Sequence, residues 1–361
     1  MGGRIWRFGK VEFATAAVIA VVLLLVVLAA GYTAPAFQRT VIESLIDLLV
    51  VVGLYIFIGN SGVVSFGHIA FMAIGGYASA ILTMTAQKKH VLLQLPGFLE
   101  HLQLPSLPAA VLAAGFAAFI AWLIGMAFIR LRGIALPMAT FAMLMIVHVV
   151  AQNWNEVTGG RRALVGLPQF VGLWTALLGA VVALAAAAFY QQWRRGLLLR
   201  CSRENEVAAE ASGIDIARER LLAFVVSAFF VALGGVLFAH FLGTITANSF
   251  YLDLTFVTLA MLVVGGMRSL TGAFVGTAVV TVVSEVFRSI ERGVDLGGFT
   301  LSAPPGLQEI GLALILLLIL IFRRDGLVGD FEIGSIFFRT PRTSSLASAD
   351  KPNLASADKD S

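Results

Sequence analysis

The sequence predicts an all-α, polytopic membrane protein with about ten transmembrane helices, and three observations predict it. First, apolar side chains make up 59% of the 361 residues and charged ones only 13%, with a mean hydropathy of +0.92. A soluble chain of that length has no way to hide so much apolar surface. Second, apolar runs of bilayer length, about 17–25 residues, recur ten times, at 13–32, 41–59, 64–86, 108–129, 133–151, 168–190, 219–243, 252–267, 270–288 and 305–322. Third, the basic residues are unevenly sorted between the loops these spans define.

The elements follow in chain order. Residues 1–12 are basic through Arg4, Arg7 and Lys10, and no small-residue cleavage site follows. The first run is therefore a span rather than a signal peptide. The second span carries Glu43 and Asp47 four residues apart, on one helical face. They are read as outer-turn residues within reach of water or of Arg39, the alternative being a proton-coupled pair facing a cavity. The third span holds Gly62, Gly67, Gly75 and Gly76 with Ser61 and Ser65. Such a density of small residues allows either close helix packing or a partly unwound helix lining a cavity. The stretch 87–107 contains Pro96 and Pro105 and reads as a structured loop or a short surface helix at best. The eighth span is short, and a tight turn leads into the ninth. Residues 326–361, with Leu-Ala-Ser-Ala-Asp-Lys at both 346–351 and 354–359, are expected to be a disordered tail.

Basic residues orient the bundle. With the N-terminus inside, ten spans put eighteen of the 25 Lys and Arg in the inner pieces. Seven fall outside: Arg39, Lys88, Lys89, Arg161, Arg162, Arg288 and Arg292. Both termini are therefore expected to be cytoplasmic. The sequence pI of about 9.5 reflects these inner loops, not a nucleic-acid surface.

Several chemistries are absent. No Gly-x-x-x-x-Gly-Lys-Ser/Thr occurs, so the chain has no P-loop to cradle nucleotide phosphates. Cys201 is the single cysteine, which excludes an internal disulfide, and the five histidines show no metal-ligand spacing. His68, His148 and His240 lie at or near membrane depth and read as hydrogen-bonded packing residues before proton relays.

Between the sixth and seventh spans lies a polar segment, Arg200 to Gly213. Ser202 suits an N-cap, Glu204 a positive first turn, and Gly213 a left-handed C-cap. Val207, Ala211 and Ile214 share one face, with Ala208 and Ala209 thinning the surface beside them. This is either a solvated loop helix or a short helix shaped to dock on a soluble partner.

The segment Gly59 to Ala78, which leads into the third span, resembles a signature of the branched-chain amino-acid ABC permeases in their M-type subunit, Gly-x-x-Ser-x-Gly-His-Ala-x-Phe-x-x-x-Gly-Ala-Tyr. Further elements continue the resemblance: Leu131-Arg-Gly133 running to Thr140, Thr158-Gly-Gly160 with Gly166-Leu-Pro168, Gly234-Gly235, Gly265 to Gly272, and Arg323 to Leu327. Arg203 to Gly213 is similar to the family's version of the loop by which importer permeases contact their ATPases. The likeness covers about 40–330. Ala135, Ala163, Asn248 and Arg268 depart from the usual pattern and bear on the solute more than on the class.

The resemblance implies a type II ABC importer-like bundle in a bacterial cytoplasmic membrane, with a permease domain at 13–325 and no covalent chemistry of its own. It implies a second homologous permease, two ATPase subunits that bind ATP and magnesium, an extracytoplasmic solute-binding protein and membrane lipids as partners, and no cofactor in this chain. Branched-chain or other neutral amino acids are the implied solutes, with urea, amides and aromatic acids as alternatives. The implied coupling residues are Arg203, Glu204, Glu206, Val207, Ala208, Glu210, Ala211 and Gly213. Ser65, Gly67, His68, Thr158 and Gly159 are the candidates for the pathway.

Overall fold

A computed structural model describes residues 2–93, 97, 101–128, 131, 133–292, 294–295, 300–301, 304, 306–323 and 325–336. Its apolar helices run in sequence as α1 (Gly2–Ala30), α2 (Pro35–Ser61), α3 (His68–Thr83), the short α4 (Ala86–Leu92), α5 (Ser106–Phe128) and α6 (Ala135–Asn153). The one-turn α7 (Asn155–Thr158), α8 (Leu173–Gln192), α9 (Arg194–Glu204), α10 (Glu206–Ala211) and α11 (Ile216–Leu242) follow. The chain closes with α12 (Leu252–Gly265), α13 (Leu270–Arg292) and α14 (Leu307–Phe322). Two small antiparallel ladders join loops: β1 (Leu164–Val165) with β2 (Thr244–Ile245), and β3 (Val294–Asp295) with β4 (Thr300–Leu301).

Among the described residues, eight helices are long and apolar enough to cross a membrane, and two of the ten expected spans are shorter. The third loses its start because Gly62 adopts a left-handed φ of 72° that ends α2, and residues 62–67 leave the helix before His68 restarts it. The tenth is limited to Leu307–Phe322 by Gly306, whose φ is 104°. The first begins earlier than expected, since α1 is helical from Gly2.

α2 is the axis of the bundle: 83% of its most apolar stretch is buried, against 33% for α1. It packs on α8, α11 and α13, while α11 also covers α3 and α5. Glycine sets these crossings. A Cβ at Gly75 would strike the backbone of Ala232, and one at Gly235 the carbonyl of Met72, so α3 and α11 approach backbone to backbone. Small residues at such contacts let helices gain dispersion energy where lipid offers no hydrophobic drive. The same device joins α12 to α13, where Gly265, Gly272 and Gly276 meet.

The start of the expected tail is corrected. Residues 325–336 fold back onto the bundle, and only 337–361 of that stretch lie outside the described residues. Glu332 accepts from the Leu270 and Thr271 amides at 2.7 and 3.3 Å and from the Thr271 hydroxyl at 2.8 Å, capping α13. The carboxylate satisfies donors that a helix N-terminus leaves open. The Gly334 amide donates to Thr15 Oγ1 at 3.0 Å, so this segment reaches α1. Of the basic residues assigned to the inner side, Arg130, Arg132, Arg324, Arg339, Arg342, Lys351 and Lys359 lie outside the described residues.

Candidate functional site

The polar segment after α8 is two helices, not one. α8 stops where Trp193 turns extended (φ −64°, ψ 144°), and α9 restarts at once in a new direction. Close approach at this turn requires Gly196, whose Cβ would strike the Tyr190 carbonyl. α9 is then fastened to the end of α2. Arg200 donates from Nε to Asn60 Oδ1 at 2.8 Å and pairs with Glu12 of α1 at 2.7 Å. Burial works against its charge, but the Glu12 and Glu332 carboxylates favour it, and the guanidinium is held above its usual range. Arg203 donates to the Gly59 carbonyl at 2.6 Å while its stem lies over Gly62, where a Cβ would come within 2.6 Å of Arg203 Cγ.

Asn205 breaks the helix in an extended conformation and caps the next one, accepting from the Ala208 amide at 3.0 Å. After Ala211 the chain closes on Gly213 (φ 80°), with Gly213 N bonded to Glu210 O at 2.9 Å and Ile214 N to Ala209 O at 3.1 Å. A left-handed C-terminal residue of this kind is where glycine avoids a Cβ penalty. Asp215 then caps α11 through the Arg218 amide at 3.1 Å. Two expectations are thereby corrected. Ser202 is not the N-cap: it is buried inside α9, donating to Leu199 O at 2.7 Å. Glu204 is the last residue of α9, not the first turn of α10, because Asn205 takes the cap.

The eight candidate coupling residues divide. Val207 is 79% exposed, and Ala208, Glu210, Ala211 and Gly213 are exposed beside it, with only Ala209 buried beneath. Ile214 is half-buried at the edge, and space is open around Gly213. Arg203 and Glu206 turn inward instead: Glu206 pairs with Arg220 of α11 at 2.8 Å, and Arg203 holds α2. Glu204 is exposed but paired with Arg203 at 3.0 Å. The result is an apolar knob on a braced base.

The five pathway candidates do not converge. Ser65 and His68 hydrogen-bond at 2.8 Å in a fully buried nest of Phe57, Phe71 and Phe224. Gly67 lies against the Thr140 carbonyl on α6. Thr158 and Gly159 sit near the other end of that helix, with Thr158 Oγ1 donating to Ala151 O at 2.6 Å. Eleven residues of α6 separate Thr140 from Ala151, about 16 Å along the axis. His148 stacks on Tyr251 at 3.7 Å and His240 bonds Pro168 O at 2.9 Å.

Glu43 and Asp47, for which facing a cavity was the second reading of the sequence, line a polar cavity of about 340 Å³ between α2, α12 and α13. Glu43, Asp47, Asp253, Glu285 and Arg288 line it with Thr40, Ser249, Thr281 and Ser284. Arg288 lies 3.6 Å from Glu43 and 3.5 Å from Glu285, so the partner of Glu43 is Arg288 and not Arg39. The spacing of Glu285, Arg288 and Arg292 was the available signal. Among the described residues, no group of three His, Cys, Asp or Glu side chains is placed to hold a metal ion.

A bundle of apolar helices, eight of them of membrane-crossing length among the described residues, defines a polytopic membrane protein. The family model described as branched-chain amino acid transport system / permease component matches residues 36–322, and the chain belongs to that family. It is similar to the high-affinity branched-chain amino acid transport system permease protein LivM of Escherichia coli (strain K12), 28% identical over 283 residues. The protein of that name from Salmonella typhimurium is 27% identical over 283 residues. The match covers 69% of this chain and 63% of each of those relatives, so the chain spans less than two thirds of their length. A probable LivM of Methanocaldococcus jannaschii is 27% identical over 139 residues, 38% of this chain and 40% of its own. No solved structure shows a significant match. Family and spans make this a multi-pass membrane protein of a permease family.

Proposed function

We propose that the chain is the permease subunit of an ABC importer for branched-chain or other neutral amino acids, driven by separate ATPase subunits and fed by an extracytoplasmic binding protein. The observation that carries this reading is the exposed knob of Val207, Ala208 and Ala211 standing on a braced base. Val207, 79% exposed, with Ala208 and Ala211 exposed beside it, supports a contact surface on this polar segment. The bracing makes it a lever, because force on α10 passes through Arg203 and Arg200 into α2 and α1. Nucleotide-driven closure of two ATPases would then rock the helices around the pathway.

In this reading all ten apolar helices cross the bilayer, as a type II bundle paired with a second permease. Both termini are cytoplasmic, and contact between residues 325–336 and α1 supports their sharing a side. Nucleotide binds only to the partners. The polar cavity at 43–47, 253 and 285–288 opens at the end away from α10 and suits a zwitterion arriving from the binding protein. The test is reconstitution of the full chain with P-loop ATPases and the binding protein encoded beside it. Leucine uptake that needs all of them, and that Val207→Asp abolishes while the protein stays inserted, supports the reading. Flux of solute through the purified chain alone sinks it.

A further inference from the structure

The polar cavity between α2, α12 and α13 contains a carboxylate without a partner. Four acids, Glu43, Asp47, Asp253 and Glu285, share its lining with one basic side chain, Arg288. Glu43 and Glu285 lie 3.6 and 3.5 Å from Arg288 Nη1, and Glu285 also pairs with Arg292 at 2.6 Å. Asp253 stands in the first turn of α12, where the amide dipoles of a helix start favour negative charge. Asp47 has neither support. It sits one turn deeper than Glu43, about 6 Å along α2, and makes no hydrogen bond or ion pair among the described residues. Its carboxylate is not sealed off: the residue is only partly buried, and its oxygens keep surface open to the cavity.

An unpaired carboxylate at membrane depth is costly and marks a route for a charged ligand. The missing cation is not a metal, since among the described residues no three His, Cys, Asp or Glu side chains are placed to hold one. The α12 wall shows what else the ligand carries. Leu254, Val257 and Met261 follow at spacings of three and four on one face of α12, and Phe238 of α11 joins them. Nearer the mouth, Arg288 has 43% of its side chain exposed and meets Glu43 and Glu285 only at 3.6 and 3.5 Å. A tight charge-assisted bond is about 2.7–2.9 Å, so this guanidinium keeps donors free for another anion. The volume of about 340 Å³ falls in the ordinary range for small-molecule sites, roughly 300–1,000 Å³. We propose that this cavity is a binding subsite for an α-amino acid with an aliphatic side chain: the ammonium donates to Asp47, Arg288 donates to the carboxylate, and the side chain lies on the α12 face. The assignment deepens the importer reading above and rests on it for the solute's direction of travel. Of the alternative solutes, urea and amides bring no cation for Asp47, and aromatic acids bring only an anion.

The experiment follows the thermal unfolding of the full chain, purified in detergent, with small molecules added at millimolar concentration. L-leucine, and isoamylamine with its ammonium and aliphatic chain alone, are expected to raise the unfolding temperature. Isocaproate, which keeps the chain and the carboxylate but lacks the ammonium, and urea are expected to leave it unchanged. Asp47→Asn is isosteric and breaks no hydrogen bond within the chain. It is expected to weaken the apparent affinity for leucine at least about tenfold, the loss of one charge-assisted hydrogen bond. Val257→Phe, which narrows the α12 wall, is expected to lose the leucine effect and keep that of alanine. No shift with leucine in the unaltered chain overturns the proposal, as does an equal shift with all four compounds. So does a leucine effect unchanged in Asp47→Asn. The assay holds no ATPase or binding protein, so these outcomes leave the importer reading standing, whereas uptake without ATPases sinks that reading and not the subsite.

Discussion

α9 and α10 are neighbours in sequence, separated by Asn205 alone, and they use their side chains in opposite ways. In α9 two arginines reach inward, Arg200 to Glu12 and Asn60 and Arg203 to the Gly59 carbonyl, while Arg194 and Glu204 stay exposed. In α10 the small and apolar residues face outward, with Val207, Ala208 and Ala211 exposed. At Arg200, Arg203 and Val207 the usual rule that charge faces water and apolar groups face the core is reversed. The reversal makes sense if α9 is an anchor and α10 a contact surface, because a carbonyl at a helix C-terminus is a natural acceptor for arginine.

The contrast is open to breakage at five places, with the largest effect first. Arg200→Ala leaves Glu12 without its partner near the α9–α10 end and is expected to cost about 3 kcal/mol, read as loss of monodisperse protein in detergent. Ala208→Trp leaves the fold intact, with stability changed by less than about 0.5 kcal/mol, yet removes ATPase association and uptake. Should that variant be unstable instead, the knob is a packing surface. Gly213→Asp, forced into a φ of 80°, is expected to cost about 1–2 kcal/mol and to weaken ATPase association more than thermal stability. Asn205→Ala removes the cap of α10 at a cost of about 1 kcal/mol, seen as faster amide exchange confined to 206–213. Glu206→Gln is the mildest, because the pair with Arg220 is partly exposed; a loss of about 0.5 kcal/mol that shrinks at high salt is expected.

A second contrast sharpens the first. Around α2, α3 and α11, helices meet through glycine with backbone against backbone. Around α5 and α6 they part and leave 700 Å³ between them. Gly75→Leu is therefore expected to disrupt the bundle, whereas a large side chain at Ala78, three residues along the same helix, has room. Comparing the two variants for yield and folded fraction tests whether the packing difference is real.

Legibility followed the range of the interaction. The turn at Gly213 and the exposure of Val207 rest on local geometry, and Gly213, Val207 and Ala211 were identifiable as cap and face from spacing alone. The true start of α10 was not. Ser202 and Asn205 are both good caps, and the choice between them was made by Trp193, which restarts the helix nine residues before Ser202. The pathway candidates lie apart for a related reason. Ser65 bonds His68 Nδ1, leaving the buried Nε2 of that ring without a partner, and Thr158 Oγ1 is taken up by the Ala151 and Trp154 carbonyls, so most of the polar atoms that looked available are spent locally. Glu43 and Asp47 carried the better signal, but their companions Asp253, Glu285 and Arg288 are more than two hundred residues away.

Composition, the period of apolar runs and the distribution of Lys and Arg were enough to determine a helical membrane protein, its approximate spans and the polar segment after α8. These properties need no knowledge of neighbours, because the bilayer itself imposes segment length and backbone satisfaction. Tertiary structure alone decided which charges turn inward, which cavity gathers the acids around Arg288, and that residues 325–336 return to cap α13. Each of those depends on the crossing of helices distant in sequence, and the glycines that permit the crossings do not name their partners.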